Sequence, residues 1–201
     1  MGHNSSKGGK KSGKEWALIV ATGPSLLRAD IESLRPFMSY IMVVNCAVFY
    51  APYADAIYAA DKKWWQEYGP KVAWFKGERY AMNCKLHQTK TYRPRGWARN
   101  GGNSGHQALQ LCIDKGHKNI ALLGYDQQHT GGLAHCHKDH PKGMGNAAHV
   151  THWAKNMEKT SNEVLARGVN VVNLSRHTAL RCFKRMTVEE WHGKELHNRN
   201  N

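Results

Sequence analysis

Short, almost wholly apolar runs that each end in small or hydrogen-bonding residues constrain this chain more than any other feature. Trp16-Ala17-Leu18-Ile19-Val20-Ala21 stops at Thr22-Gly23-Pro24-Ser25, and Ile41-Met42-Val43-Val44 stops at Asn45. Asn119-Ile120-Ala121-Leu122-Leu123 runs into Gly124-Tyr125-Asp126, and Val169-Asn170-Val171-Val172 runs into Asn173-Leu174-Ser175. A strand that is apolar on both faces needs cover on both, which is the condition of a parallel sheet between helical layers.

The intervening segments fit that layer. Leu26, Leu27, Ile31 and Leu34 recur at helical spacing as far as Pro36. Ala56 to Ala60 predicts a further strand, with Asp61 placed to cap a helix through Trp64, Trp65 and Tyr68. Val72 to Phe75 predicts another short strand. Ser104 to Lys115 predicts a helix with Ala108, Leu109, Leu111 and Cys112 on one face and Gly116 as its stop. A longer helix covers Val150 to Ala166 and stops at Gly168. The alternation predicts an α/β, Rossmann-like domain: a mostly parallel sheet with helices on both faces. No internal repeat is visible.

One such domain is expected over residues 15–190, between a flexible basic arm (1–14) and a polar tail (191–201) that frays. With 201 residues the chain can bury a core without disulfide or metal staples, and 41% apolar against 22% charged residues excludes a wholly disordered chain. No apolar run approaches the ~20 residues a membrane span needs. The first fourteen residues have no apolar stretch of the signal-peptide kind, and Gly2 with Ser6 is a myristoylation-like pattern that arises easily by chance. Five cysteines, odd in number and without a CxxC pair, read as reduced thiols in a cytoplasmic protein.

Charge narrows the partners. Lys plus Arg number 29 against 15 Asp plus Glu, a formal +14. Lys7, Lys10, Lys11 and Lys14 stand among Gly and Ser, and Lys85 to Arg99 interleaves cations with Tyr92 and Trp97. Phosphates and stacked bases suit such a pattern, so Lys10, Lys11, Lys14, Lys90, Arg93, Arg95 and Arg99 are candidate nucleic-acid contacts. The plainer reading is a solvated loop on a basic protein. An anionic partner is expected: nucleic acid, a nucleotide, or the phosphates of an activated substrate.

In a parallel sheet, ligands sit beyond the carboxyl ends of the strands. Gly23, Pro24, Ser25, Asn45, Asp61, Gly124, Asp126, Asn173 and Ser175 lie at those predicted ends, and Asn103, Ser104 and Gly105 open a helix. Each alone reads as a cap or turn; together they are the candidate nucleotide-binding residues, because small residues let backbone approach phosphate and a helix start favours anions. Neither a Walker A loop nor a G-x-G-x-x-G turn is present.

The Leu18–Leu26 stretch with Val43-Val44-Asn45 and Ala59-Ala60-Asp61 resembles the first half of a Rossmann-like group. That group contains Campylobacter-type sialyltransferases and the domain of archaeal hydroxymethylpterin diphosphokinases. Gly102-Asn103-Ser104-Gly105 followed by Ile120 to Asp126 resembles its second motif. Gly168 to Ser175 with Thr178-Ala179-Leu180 resembles the closing strand of uncharacterised phage members. The resemblance spans residues 16–186. It implies a fold that uses a nucleotide or nucleotide-sugar, in the cytoplasm of a bacterial host, with Gly23, Ser25, Asn45, Ser104 and Gly105 touching the nucleotide. Where sialyltransferases have Asn this chain has Thr22, and their phosphate-binding tyrosines have no evident match.

Residues 129–140 hold four histidines, an aspartate and a cysteine. His135, His137, Asp139 and His140 spell H-x-H-x-D-H, also the metal motif of metallo-β-lactamase-like hydrolases, and this set suits a divalent metal such as zinc or iron. The same four are the candidate catalytic residues, as general base or as metal ligands. The bland alternative is a polar surface loop. Three functions follow: a transferase using a nucleotide-activated donor, glycosyltransferase-like and phage encoded; a phage nucleic-acid-binding accessory protein; and a metal-dependent hydrolase.

Overall fold

The computed structural model describes residues 15–96, 102–141, 144–145, 147 and 149–200. Its strands are β1 (Trp16–Val20), β2 (Met38–Val44), β3 (Ala56–Tyr58), β4 (Glu78–Ala81), β5 (Lys90–Thr91), β6 (Asn119–Leu123), β7 (Asn170–Asn173) and β8 (Lys184–Arg185). The helices are α1 (Arg28–Leu34), α2 (Lys62–Tyr68), α3 (Ser104–Asp114), α4 (Val150–Ala166) and α5 (Val188–Asn200). The strands form one sheet in the order β5-β4-β3-β2-β1-β6-β7-β8, and every pairing is parallel. The chain is therefore α/β and Rossmann-like.

β1 is central, and all five of its residues are buried. Leu18 and Val20 pack into the layer of Ile31, Leu34, Trp64, Trp65 and Trp191, so α1, α2 and α5 cover that face. Ala17 and Ile19 point the other way, toward Leu109, Cys112, Met157 and Val164 of α3 and α4. Burying each large aliphatic side chain contributes ~1.5–3 kcal/mol, which explains why the apolar runs became the inner strands.

Two expectations fail. Val72 to Phe75 is not a strand. Pro70 opens a 3-10 turn over Pro70–Val72, and Val72 and Phe75 dip into the core three residues apart. The strand at that level is β4, which includes the polar Glu78 and Arg79. The expected tail is not irregular either: residues from Val188 to Asn200 are helical. Thr187 and Glu190 form a capping box, the Thr187 amide donating to Glu190 Oε2 at 2.7 Å and the Glu190 amide to Thr187 Oγ1 at 3.1 Å. Trp191, 1% exposed, then meets Trp16 and Phe37 edge-on at 5.4 and 5.7 Å.

From β1 the chain works outward through β2 to β5, then crosses back to lay β6 on the other side of β1. The direction of winding reverses there, and α/β sheets open a crevice at such a point.

Candidate functional site

The reversal brings the ends of β1 and β6 into unusually close contact. The Ala21 amide donates to the Leu123 carbonyl and the Gly23 amide to the Gly124 carbonyl, both at 2.8 Å. Gly124 has φ +71°, and a Cβ there would stand 2.4 Å from the Ala21 oxygen. At Gly23 a Cβ would stand 2.2 Å from Asp126 Oδ1. Only glycine fits either place.

A cleft of about 660 Å³ opens above this seam. Of the twelve residues expected to bind nucleotide, Gly23, Pro24, Asn45, Asp61, Asn103, Ser104, Gly105, Gly124 and Asp126 line it, together with His135 and His140. Asn45 directly follows β2 in the left-handed region (φ 51°), a conformation asparagine tolerates better than most residues. Asp61 holds the position before α2, yet its side chain makes no cap bond and is exposed. The amino end of α3 faces the cleft. There Asn103 Oδ1 caps the His106 amide at 2.9 Å and Ser104 Oγ accepts from the Ala60 amide at 3.1 Å, fixing the helix to the end of β3.

Ser25, Asn173 and Ser175 do not line the cleft, which corrects the expectation for them. Ser25 gives its amide and hydroxyl to the Asp126 carboxylate, at 2.8 and 2.9 Å. Burial pushes the Asp126 carboxyl up from its ordinary value, and the Ser25 bonds pull it back. Asn173 accepts from the Ser175 amide at 3.0 Å and donates to Thr178 Oγ1 at 3.2 Å, while Ser175 Oγ accepts from the Tyr125 amide at 2.7 Å. These groups shape the rim by bonding one another.

Among the other residues lining the cleft, three carry chemistry the sequence did not single out. Lys62 and Lys63 begin α2 and are exposed, and Trp153 of α4 is half-buried against it. A hint lay in the Lys-Lys pair directly after Asp61; nothing in the pattern of α4 singled out Trp153.

The histidine loop is strapped down over the strand ends. The Cys136 amide donates to the Thr22 carbonyl at 3.0 Å, and its carbonyl accepts from the Tyr50 hydroxyl at 2.8 Å. His135, His137 and His140 consequently converge, their ring centroids 4.8, 5.0 and 5.1 Å apart. His135 and His137 stack almost parallel. Burial, then the neighbouring His137 and His140, hold the His135 imidazole down at about 4, so it is neutral near pH 7. Burial also lowers His140. Asp139 is exposed; it raises both imidazoles slightly but does not join the donor cluster. Buried Cys46, just past β2, takes its place: a donor atom of Cys46, one of His137 and one of His140 all lie within 4.8 Å of one another. Sequence order hid Cys46, because only the parallel pairing of β1 with β2 carries it under the loop.

Of the candidate nucleic-acid contacts, Lys90 lies 2.6 Å from Glu78, which Lys115 also holds at 2.7 Å. Arg93 and Arg95 are exposed beyond β5. Lys10, Lys11, Lys14 and Arg99 lie outside the described residues. All five cysteines are free thiols. No helix among the described residues is long and apolar enough to cross a membrane.

No protein-family model matches the chain, and no curated protein matches it either.

Proposed function

We propose that the cleft holds a nucleotide-activated donor and that the chain is a transferase of glycosyltransferase-like type. The observation that carries this reading is where the cleft sits. It lies on the β1–β6 reversal, the amino end of α3 opens onto it, and Lys62, Lys63 and Trp153 border it. Helix amides and two lysines suit a pyrophosphate, and a half-buried indole suits a base. A volume of about 660 Å³ is ample for a nucleotide, since small-molecule sites run ~300–1,000 Å³. His135, on the cleft wall, is the group placed to take a proton from an acceptor hydroxyl. Arg93 and Arg95 make nucleic acid a candidate acceptor.

Two observations favour this proposal over the metal-dependent hydrolase. Its motif belongs to strand-rich halves, whereas this sheet is single and wholly parallel, and Asp139 stands outside the histidine cluster.

Thermal melts with CMP, CDP, UDP, GDP and ATP test the proposal. At least one should stabilise the protein, by about 2.7 kcal/mol at a hundredfold excess over its Kd. No shift with any of them overturns it.

A further inference from the structure

We propose that Cys46, His137 and His140 form a binding site for a zinc ion beside the cleft. The three donors come from separate parts of the chain: the turn after β2 supplies the sulfur and the loop after β6 supplies both imidazoles. Their donor atoms lie within 4.8 Å of one another. Bond lengths of ~2.3 Å to sulfur and ~2.0–2.1 Å to nitrogen put tetrahedral zinc ligands about 3.3–3.6 Å apart, so closing on an ion requires an inward shift of about 1 Å.

Three further observations point to a cation. The Nδ1 of His137 lies 2.6 Å from the Lys138 carbonyl, which can only accept, so the ring proton is on Nδ1 and Nε2 keeps its lone pair. That Nε2 is buried and has no hydrogen-bond partner, and the Nε2 of the stacked His135 shares this state. Unpaired buried nitrogens are costly, and a metal bond would relieve that of His137. The imidazole of His140 is held by the Tyr68 hydroxyl, 3.1 Å from its Nδ1, and such supporting contacts commonly orient metal-ligating rings.

The donor chemistry selects the ion. One thiolate with two imidazoles suits zinc and disfavours magnesium, calcium and manganese, which take oxygen. Three protein donors are the set of a catalytic zinc, with its fourth position left for water or a bound group. His140 also lines the cleft, so the ion would sit beside whatever the cleft binds. Zinc binding releases the Cys46 thiol proton to solvent, so affinity rises with pH. The proposal does not rest on the nucleotide reading.

The test uses the full chain, stripped with chelator and titrated first with Zn2+ and then with Co2+ as a spectroscopic probe. Expected results are one zinc per chain by elemental analysis, and a Co2+ complex with the near-ultraviolet thiolate charge-transfer band and the visible bands of a four-coordinate ion. Cys46→Ser should abolish the charge-transfer band, and His137→Ala should weaken Zn2+ binding at least tenfold. Asp139→Asn should leave both unchanged. Circular dichroism checks that each variant is folded. If Cys46→Ser does not fold, His137→Ala carries the test, because its side chain is only half-buried on the loop. The proposal is overturned if the wild type takes up no zinc, if the Co2+ complex lacks a thiolate band, or if Asp139→Asn loses the ion.

Discussion

The carboxylate of Asp126, at the end of β6, occupies the place above the β1 turn where an anion would meet the Ser25 amide, and it takes the Ser25 hydroxyl as well. The protein carries its own anion at this point. Asp126→Ala should leave the Ser25 amide unpaired and the Ser25 hydroxyl with only the His177 carbonyl at 3.5 Å, and cost about 1–3 kcal/mol in urea unfolding. Formate or acetate, small enough to refill the space, should recover part of that loss in the variant and give no comparable gain in the wild type. Equal response of the two proteins would contradict the assignment.

Gly124 and Gly168 both have positive φ, at 71° and 66°, but only Gly124 has a backbone oxygen where its Cβ would go. Gly168→Ala should therefore cost about 1 kcal/mol, the ordinary penalty for a left-handed alanine. Gly124→Ala should cost clearly more, about 3 kcal/mol or higher, because the β1–β6 seam must separate to admit the methyl group. Urea midpoints of the two variants give the comparison directly.

Glu78 bridges Lys115 and Lys90, and these two ammonium groups hold its carboxyl down at about 2 against an ordinary 4.5. Its folded value lies below its unfolded value, so the contribution is fully present above pH 4.5. It is lost as the pH falls toward 2, where the unfolded chain binds the proton first. Glu78→Gln should flatten the acid limb of the stability curve in that window and leave the curve above pH 5.5 parallel to wild type. The pair is partly solvated, so added salt should shrink the difference.

Helix α5 should behave as part of the domain. Trp191→Ala should cost about 3–5 kcal/mol, the range for removing a buried aromatic, and Thr187→Ala about 1 kcal/mol through loss of the capping box. Deletion from Val188 onward should then give a protein with a lower, broader melt. A truncated chain that melts like the full one would return these residues to the status of a tail.

Trp153 on the cleft wall should stack on a base. Trp153→Ala should weaken whichever nucleotide stabilises the wild type by about tenfold while leaving Zn2+ affinity unchanged. Isothermal titration of both ligands separates the two sites.

Much of the architecture was legible because the inner strands are buried on both faces. The runs at Trp16, Ile41, Asn119 and Val169 carry that requirement in plain sight, and α3 and α4 show their apolar faces. What stayed hidden depends on pairing rather than composition. β5 and β8 are two exposed residues each, recognisable only by the neighbour they bond. α5 buries Val188, Trp191 and Glu195, and because the third is charged no apolar period shows; the Thr187 and Glu190 pair at its start was the one readable signal. The site divided along the same line. Gly23, Asn45 and Gly124 could be placed because strand ends converge in any parallel sheet. Ser25, Asn173 and Ser175 look identical in sequence to ligand contacts, and only the structure reveals that their partners are internal. Cys46 and Trp153 enter through topology, which no local pattern encodes.

The position of β1 between β2 and β6 has a consequence for how the molecule is made. Val20 pairs with Val43 on one side and with Leu123 on the other. During synthesis the first contact forms early, while the second waits for about eighty more residues to emerge. Until then β1 offers a bare apolar edge, the kind of template on which nascent chains aggregate. The Gly23–Gly124 bond, the cleft and the seat of the histidine loop all appear only when that edge is closed. A ligand for the cleft would therefore recognise finished molecules alone, and its presence during expression should raise the yield of the whole chain.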